Sequence, residues 1–97
     1  MTEIINQIFA LEQKSKKEEI SIFDRQIERI YHEFETSGYH IINPLGQTYK
    51  NEMTDVEANI TGEIHTNMKI VKVLKPTIYQ VNNNQTELIQ KGIVIVE

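Results

Sequence analysis

A chain of 97 residues supports one hydrophobic core or one helix-plus-domain pair, and 39% hydrophobic with 25% charged residues is the balance of a folded, soluble protein rather than a disordered or membrane one. The lack of cysteine excludes disulfides, thiolate nucleophiles and the usual structural zinc sites. A net charge of −4, with ten basic residues scattered along the chain, argues against nucleic acid, whose phosphates need clustered lysine and arginine.

The opening stretch MTEIINQIF has no basic start and places Glu3 and Asn6 where a signal peptide needs an unbroken apolar run, so a cytoplasmic location is expected. Ile4, Ile8 and Leu11, flanked by Ile5 and Phe9, recur at helical spacing and predict a short amphipathic helix. Ser15-Lys16-Lys17-Glu18 has the form of a capping box, in which the serine hydroxyl accepts from a backbone amide three residues on and the glutamate reaches back. It predicts a fresh helix start, with a kink or short turn near Lys14 to Lys17. Ile20, Phe23, Ile27, Ile30 and Phe34 then follow at gaps of three and four on one helical seam, with Asp24, Arg25, Glu28, Arg29, His32 and Glu33 on the other side. This second helix should end at Ser37-Gly38, where glycine takes a left-handed conformation without steric cost.

After Gly38 the period changes to that of strands. YHIIN is a short strand candidate closed by Pro44-Leu45-Gly46, while KIVKVL, TIYQV and LIQKGIVIV are rich in β-branched residues. The run VKVLKPTIYQV, residues 71 to 81, is broken only at Lys75-Pro76-Thr77. Asn82-Asn83-Asn84 predicts a turn, since asparagine tolerates positive φ, and Gly92 marks a bulge or a close backbone approach. In residues 50 to 67, Met53, Val56 and Ile60 fit a helical turn, but a strand from about Val56 is the expectation. The longest apolar stretch, Ile93 to Val96, is far too short to span a bilayer. The fold class read from this pattern is α+β: a helical region, residues 1–38, followed by a small, mainly antiparallel β domain, residues 39–97.

The helical seam asks for a cover. Two helices of this length are marginal in water by themselves, and burying Phe23, Ile27, Ile30 and Phe34 stabilises by about 1.5 to 3 kcal/mol each. A four-helix dimer would supply the cover, and so would this chain's own sheet.

No residue cluster has the pattern of a catalyst. His32, His40 and His65 fall on different elements with no shared carboxylate at ligand spacing. Asp55 and Glu57 would share a strand face, where such pairs are usually solvated. Glycines 38, 46, 62 and 92 form no phosphate loop, and Ser15, Ser21 and Ser37 all lie in the helical half, none in a nucleophile elbow. The expectation is a binding or regulatory module: no enzyme, no metal, no cofactor.

The run from Phe23 to Glu97 resembles the C-terminal part of GrpE, the nucleotide exchange factor of DnaK-type chaperones. FDRQIERIYHEFETSGYHIINPLGQTYK is similar to the family's last bundle helix running into glycine, a short strand and a Leu-Gly-x-x-aromatic turn, matched by Leu45-Gly46-Gln47-Thr48-Tyr49. IVKVLKPTIY resembles the family's Val-Val-x-Val-Leu-x-x-Gly-Tyr segment, and ELIQKGIVIV its closing strand pair. The resemblance implies a cytoplasmic co-chaperone. It would be a homodimer through a four-helix bundle, with Ile4, Ile8, Leu11, Phe23, Ile27, Ile30 and Phe34 in the interface. A β wing would bind the chaperone's nucleotide-binding domain and release ADP, with Gly38, Glu87, Gln90 and Val96 at the positions of junction geometry and partner contact. It implies no nucleic acid and no membrane partner. Most of the family's long N-terminal helix has no counterpart here, and neither would any function of that stalk. The family's His-Glu-Ala-hydrophobic signature is replaced by Thr54-Asp55-Val56-Glu57, its Gly-Tyr by Thr77-Ile78-Tyr79, and arginine in the last hairpin by Glu87 and Gln90. These departures leave a second expectation open, a non-enzymatic interaction module on the same scaffold with a different partner.

Overall fold

The computed structural model describes residues 1 to 97 as two helices followed by six strands. They are α1 (Thr2–Lys17), α2 (Asp24–Thr36), β1 (Tyr39–Ile42), β2 (Val56–Ile60), β3 (Ile70–Lys75), β4 (Thr77–Asn82), β5 (Gln85–Gln90) and β6 (Gly92–Val96). This is the α+β order expected. No helix is long and apolar enough to cross a membrane.

The break between the helices lies later than the capping-box reading placed it. α1 runs through Ser15, which is buried in its last turn. The backbone there forms a C-terminal motif: Glu19 N–H donates to Lys16 O at 3.1 Å and Ile20 N–H to Ser15 O at 2.8 Å, with Glu19 at φ +56°. Ser15-x-x-Glu18 therefore closes a helix instead of opening one, and Lys14, Lys16 and Lys17 suit the negative end of its dipole. α2 starts only at Asp24, so Ile20 and Phe23 precede the helix and the five-residue seam is interrupted. The far end of α2 matches expectation. Gly38 has φ +92°, and a side chain there would bring Cβ to 2.9 Å from Val81 O.

The strands form two three-stranded sheets, ordered β1-β4-β5 (sheet 1) and β2-β6-β3 (sheet 2). All pairings are antiparallel except β2 with β6, which is parallel. The β4–β5 turn is Asn83-Asn84 with φ of +50° and +65°, the two positive values that a two-residue type I′ hairpin needs. The chain changes sheet three times, through the long connection from β1 to β2, between β3 and β4 at Pro76, and between β5 and β6 at Lys91. Pro76 suits a corner because it has no N–H to offer either ladder.

Helices and sheets share their apolar interior, so residues 1–38 do not stand apart from residues 39–97. Phe9 of α1 is buried with Val56, Met68, Ile70, Val73, Val94 and Val96 of sheet 2 and its loops. Ile5, one turn earlier, is buried with Phe34 of α2 and Ile78 of sheet 1. An i, i+4 pair on one helix face thus fills a cluster under each sheet.

Candidate partner-binding surface

The two short crossings, at Pro76 and at Lys91, lie side by side and are tied to one residue, Asp55. Its carbonyl accepts from Gly92 N–H at 2.9 Å and from Thr77 Oγ1 at 3.0 Å. Its carboxylate accepts from Tyr79 OH at 3.2 Å. Gly92 is required by contact: a Cβ there would stand 2.6 Å from Thr77 Oγ1. Burial, then the hydrogen bond to Asp55 and its charge, raise the Tyr79 phenol above its ordinary range, so the hydroxyl remains a donor across the physiological range.

A second tie joins α1 to sheet 1. Asn6 Nδ2 donates to Gln90 Oε1 at 2.9 Å and Gln90 Nε2 returns a bond to Asn6 Oδ1 at 2.8 Å, while also donating to Pro76 O at 2.8 Å. A third joins the helices. Tyr31 OH donates to Glu12 Oε1 at 3.1 Å, and burial first, then the Glu12 carboxylate, push that phenol far above its usual range.

The residues assigned to partner contact do not form one patch. Glu87 is exposed on β5, beside an open recess of about 760 Å³ formed with Gln80, Asn82, Asn83 and Leu88. Gln90 is engaged internally by Asn6 and Pro76. Gly38 serves the α2–β1 junction, where its carbonyl accepts from Val81 N–H at 2.8 Å. Val96 is a correction: its side chain is 0% exposed in the core, because even-numbered β6 residues face inward, and it presents nothing to a partner.

The proposed dimer residues divide similarly. Ile27 and Phe34 are already buried within this chain, and Ile8 and Ile30 are half-buried. Ile4, Leu11 and Phe23 are exposed. Asp55 is half-buried at the crossings while Glu57 is exposed on β2, and the three histidines lie apart. His40 Nδ1 sits 3.8 Å from Glu35 Oε1 on the surface, and His65 Nδ1 accepts from Asn67 N–H. No group of three or more metal-capable side chains is assembled.

Sequence reasoning missed three features. Asn6 and the Asp55 carbonyl carry no pattern, since one is a lone polar residue in a helix and the other is backbone. The scattered basic residues prove partly gathered. Lys69, Lys72 and Lys75 follow one another along and just before β3, a signal that was legible as a spacing of three. No protein-family model, curated protein or solved structure matches this chain.

Proposed function

We propose that this chain is a GrpE-like exchange factor, a cytoplasmic co-chaperone without catalytic chemistry that binds the nucleotide-binding domain of a DnaK-type chaperone and promotes release of ADP. What carries the reading is the convergence of the three stretches on which the resemblance rests. In the Leu45–Tyr49 turn, Gly46 N–H donates to Ile70 O and Tyr49 N–H to Met68 O, both at the entry to β3. β3 and β4 hold the second stretch, β5 and β6 the third, and β6 lies between β2 and β3. Segments separated by tens of residues thus make one braced β unit behind two helices, the arrangement that acting by shape requires. Such a factor binds the open, nucleotide-free form of its partner more tightly than the closed form, and only that difference in affinity moves the equilibrium. Ile4, Leu11 and Phe23 are the exposed apolar residues available to a homodimer.

The acidic Glu87, the internally engaged Gln90 and the buried Val96 favour a second reading, a protein-interaction module whose surface meets a different partner. One experiment separates the two. A DnaK-type chaperone is loaded with fluorescent ADP and mixed with saturating protein. Accelerated release is expected, and an unchanged rate rejects exchange in favour of the second reading. A monomeric mass by light scattering at high micromolar concentration rejects the homodimer.

A further inference from the structure

Sheet 2 has an outer face that neither core cluster uses. On β6, Gly92, Val94 and Val96 are buried, while Ile93 and Ile95 alternate with them and are half-exposed on the other side. Lys75 and Lys72 on β3 are the register partners of Ile93 and Ile95 and stand on that same side. β3 is irregular at two points, between Ile70 and Lys72 and between Val73 and Lys75. Each irregularity leaves one residue out of the pairing, Val71 and Leu74, which are 45% and 47% exposed. Val71-Lys72 and Leu74-Lys75 therefore present an apolar side chain beside an ammonium twice on one edge strand, with Val73 turned inward.

Lysines alone on an edge strand are an ordinary guard against strand-to-strand aggregation. A guard does not need exposed valine and leucine beside each lysine, and those side chains work against it. The charge is also local. Lys72 and Lys75 stand together along the β3 edge of the face, with Glu57 across β6 on the β2 side, in a chain whose net charge is −4. The ion pairs of the molecule lie elsewhere, at Lys16–Glu12 and His40–Glu35, so Lys72 and Lys75 are unpaired. Lys75 also stands in the wall of a recess of about 520 Å³ that α1 lines with Glu3, Ile4, Asn6, Gln7 and Ile8.

We propose that this face, centred on Val71, Lys72, Leu74, Lys75, Ile93 and Ile95, docks a partner protein segment that carries apolar side chains among carboxylates. The inference rests on reading the chain as a partner-binding module and names the chemistry of that partner. Charge complementarity selects the carboxylates, and the exposed aliphatic side chains select apolar neighbours for them. A nucleic acid fits less well, because its phosphate backbone makes no use of an aliphatic centre. Glu57, the register partner of Ile93, stands on the same side of the sheet, so the basic part of the face is its β3 edge and the partner's carboxylates are placed there.

The test is a titration of the isotope-labelled chain, followed by amide chemical shifts, with a short peptide of leucines spaced by glutamates. A peptide with lysine in place of glutamate and a single-stranded oligonucleotide serve as comparisons. Shifts confined to Val71–Lys75, Ile93 and Ile95 are expected with the acidic peptide only, weakening as salt rises. K72E/K75E should weaken binding roughly tenfold or more, and L74S should weaken it without changing its salt dependence. All these positions are at least partly exposed, so unaltered thermal melts will show that the variants are folded. Absent or displaced shifts, an equal response to either comparison ligand, or full binding by folded K72E/K75E each overturn the proposal. No chaperone enters this experiment, so its outcome is independent of the ADP-release measurement.

Discussion

Gly92→Ala is the sharpest probe of the sheet crossings. The added methyl would lie 2.6 Å from Thr77 Oγ1, 3.3 Å from Thr77 N and 3.4 Å from Lys75 O. Thr77 cannot easily turn aside. It is 1% exposed, its β-branched side chain is stiff, and its hydroxyl is bonded to Asp55 O. Overpacking of this kind costs about 1 to 3 kcal/mol, and the backbone contacts put Gly92→Ala in the upper half of that range. Thr77→Ala alone removes one hydrogen bond, at about 0.5 to 1.5 kcal/mol, and Asp55 O still accepts from Gly92 N–H. In the double variant the shortest contact has gone, while those to Thr77 N and Lys75 O remain. It should therefore recover about 1 kcal/mol relative to the sum of the singles, a coupling within the usual range for touching residues. Urea unfolding monitored by circular dichroism gives all four free energies. Strict additivity, or Gly92→Ala melting like the parent chain, would refute the crossing geometry.

Two further predictions address the helices. Phe9→Ala should cost about 3 to 5 kcal/mol, whereas Leu11→Ala, at a position 43% exposed, should leave the stability of the single chain nearly unchanged; equal urea midpoints for the two at low protein concentration would show that α1 is not seated on sheet 2. The Tyr31 phenol holds its proton to higher pH in the folded chain than its ordinary value of 10.0, so above that value the unfolded chain binds fewer protons than the native one. Its contribution is complete below about pH 10 and is lost as pH rises further, by at most about 1.4 kcal/mol per pH unit. Tyr31→Phe should flatten that slope in urea midpoints taken at pH 9 to 11, and an unchanged slope would refute it.

The strands were the legible part of the sequence because their signals are local. β-branched runs, the paired asparagines and Pro76 each act within a few residues of themselves. Gly38 and Gly92 were readable for the same reason, although only the fold reveals that the neighbour at Gly92 is Thr77. The helix boundary was misread because the residue closing α1 in a left-handed conformation is Glu19, where glycine would have signalled the end. The inner face of α1 was ambiguous because Ile4, Ile8 and Leu11 form one apolar stripe and Ile5 with Phe9 form another just beside it. Periodicity counts apolar residues without saying which stripe meets a sheet. The parallel pairing of β2 with β6 joins residues 36 apart in register, Val56 with Gly92, and no short-range pattern encodes that. Surface assignments by resemblance were least secure, because a strand residue's outward or inward direction depends on register: Val96 faces the core while Ile95, one position earlier, faces solvent.

A protein that works by shape must not yield when its partner pushes back, and two three-stranded sheets would hinge against each other if only their apolar faces touched. Three devices oppose that motion. The Asp55 carbonyl binds both crossing strands at their first residues, so neither sheet can rotate without breaking a bond at the axis. α1 inserts Ile5 under one sheet and Phe9 under the other, a single rigid rod serving two cores. The reciprocal amide pair of Asn6 and Gln90, with Gln90 also held to Pro76 O, fastens that rod beside the same corner. Part-buried polar bonds of this kind contribute modestly to net stability but cost more when broken and left unpaired. Their effect is therefore to make one relative arrangement of the sheets much better than its neighbours. A β unit braced at this corner is what the proposed exchange function would use to convert differential affinity into an opened partner. The same stiffness serves any interaction module whose apolar and basic side chains must meet a partner in fixed register.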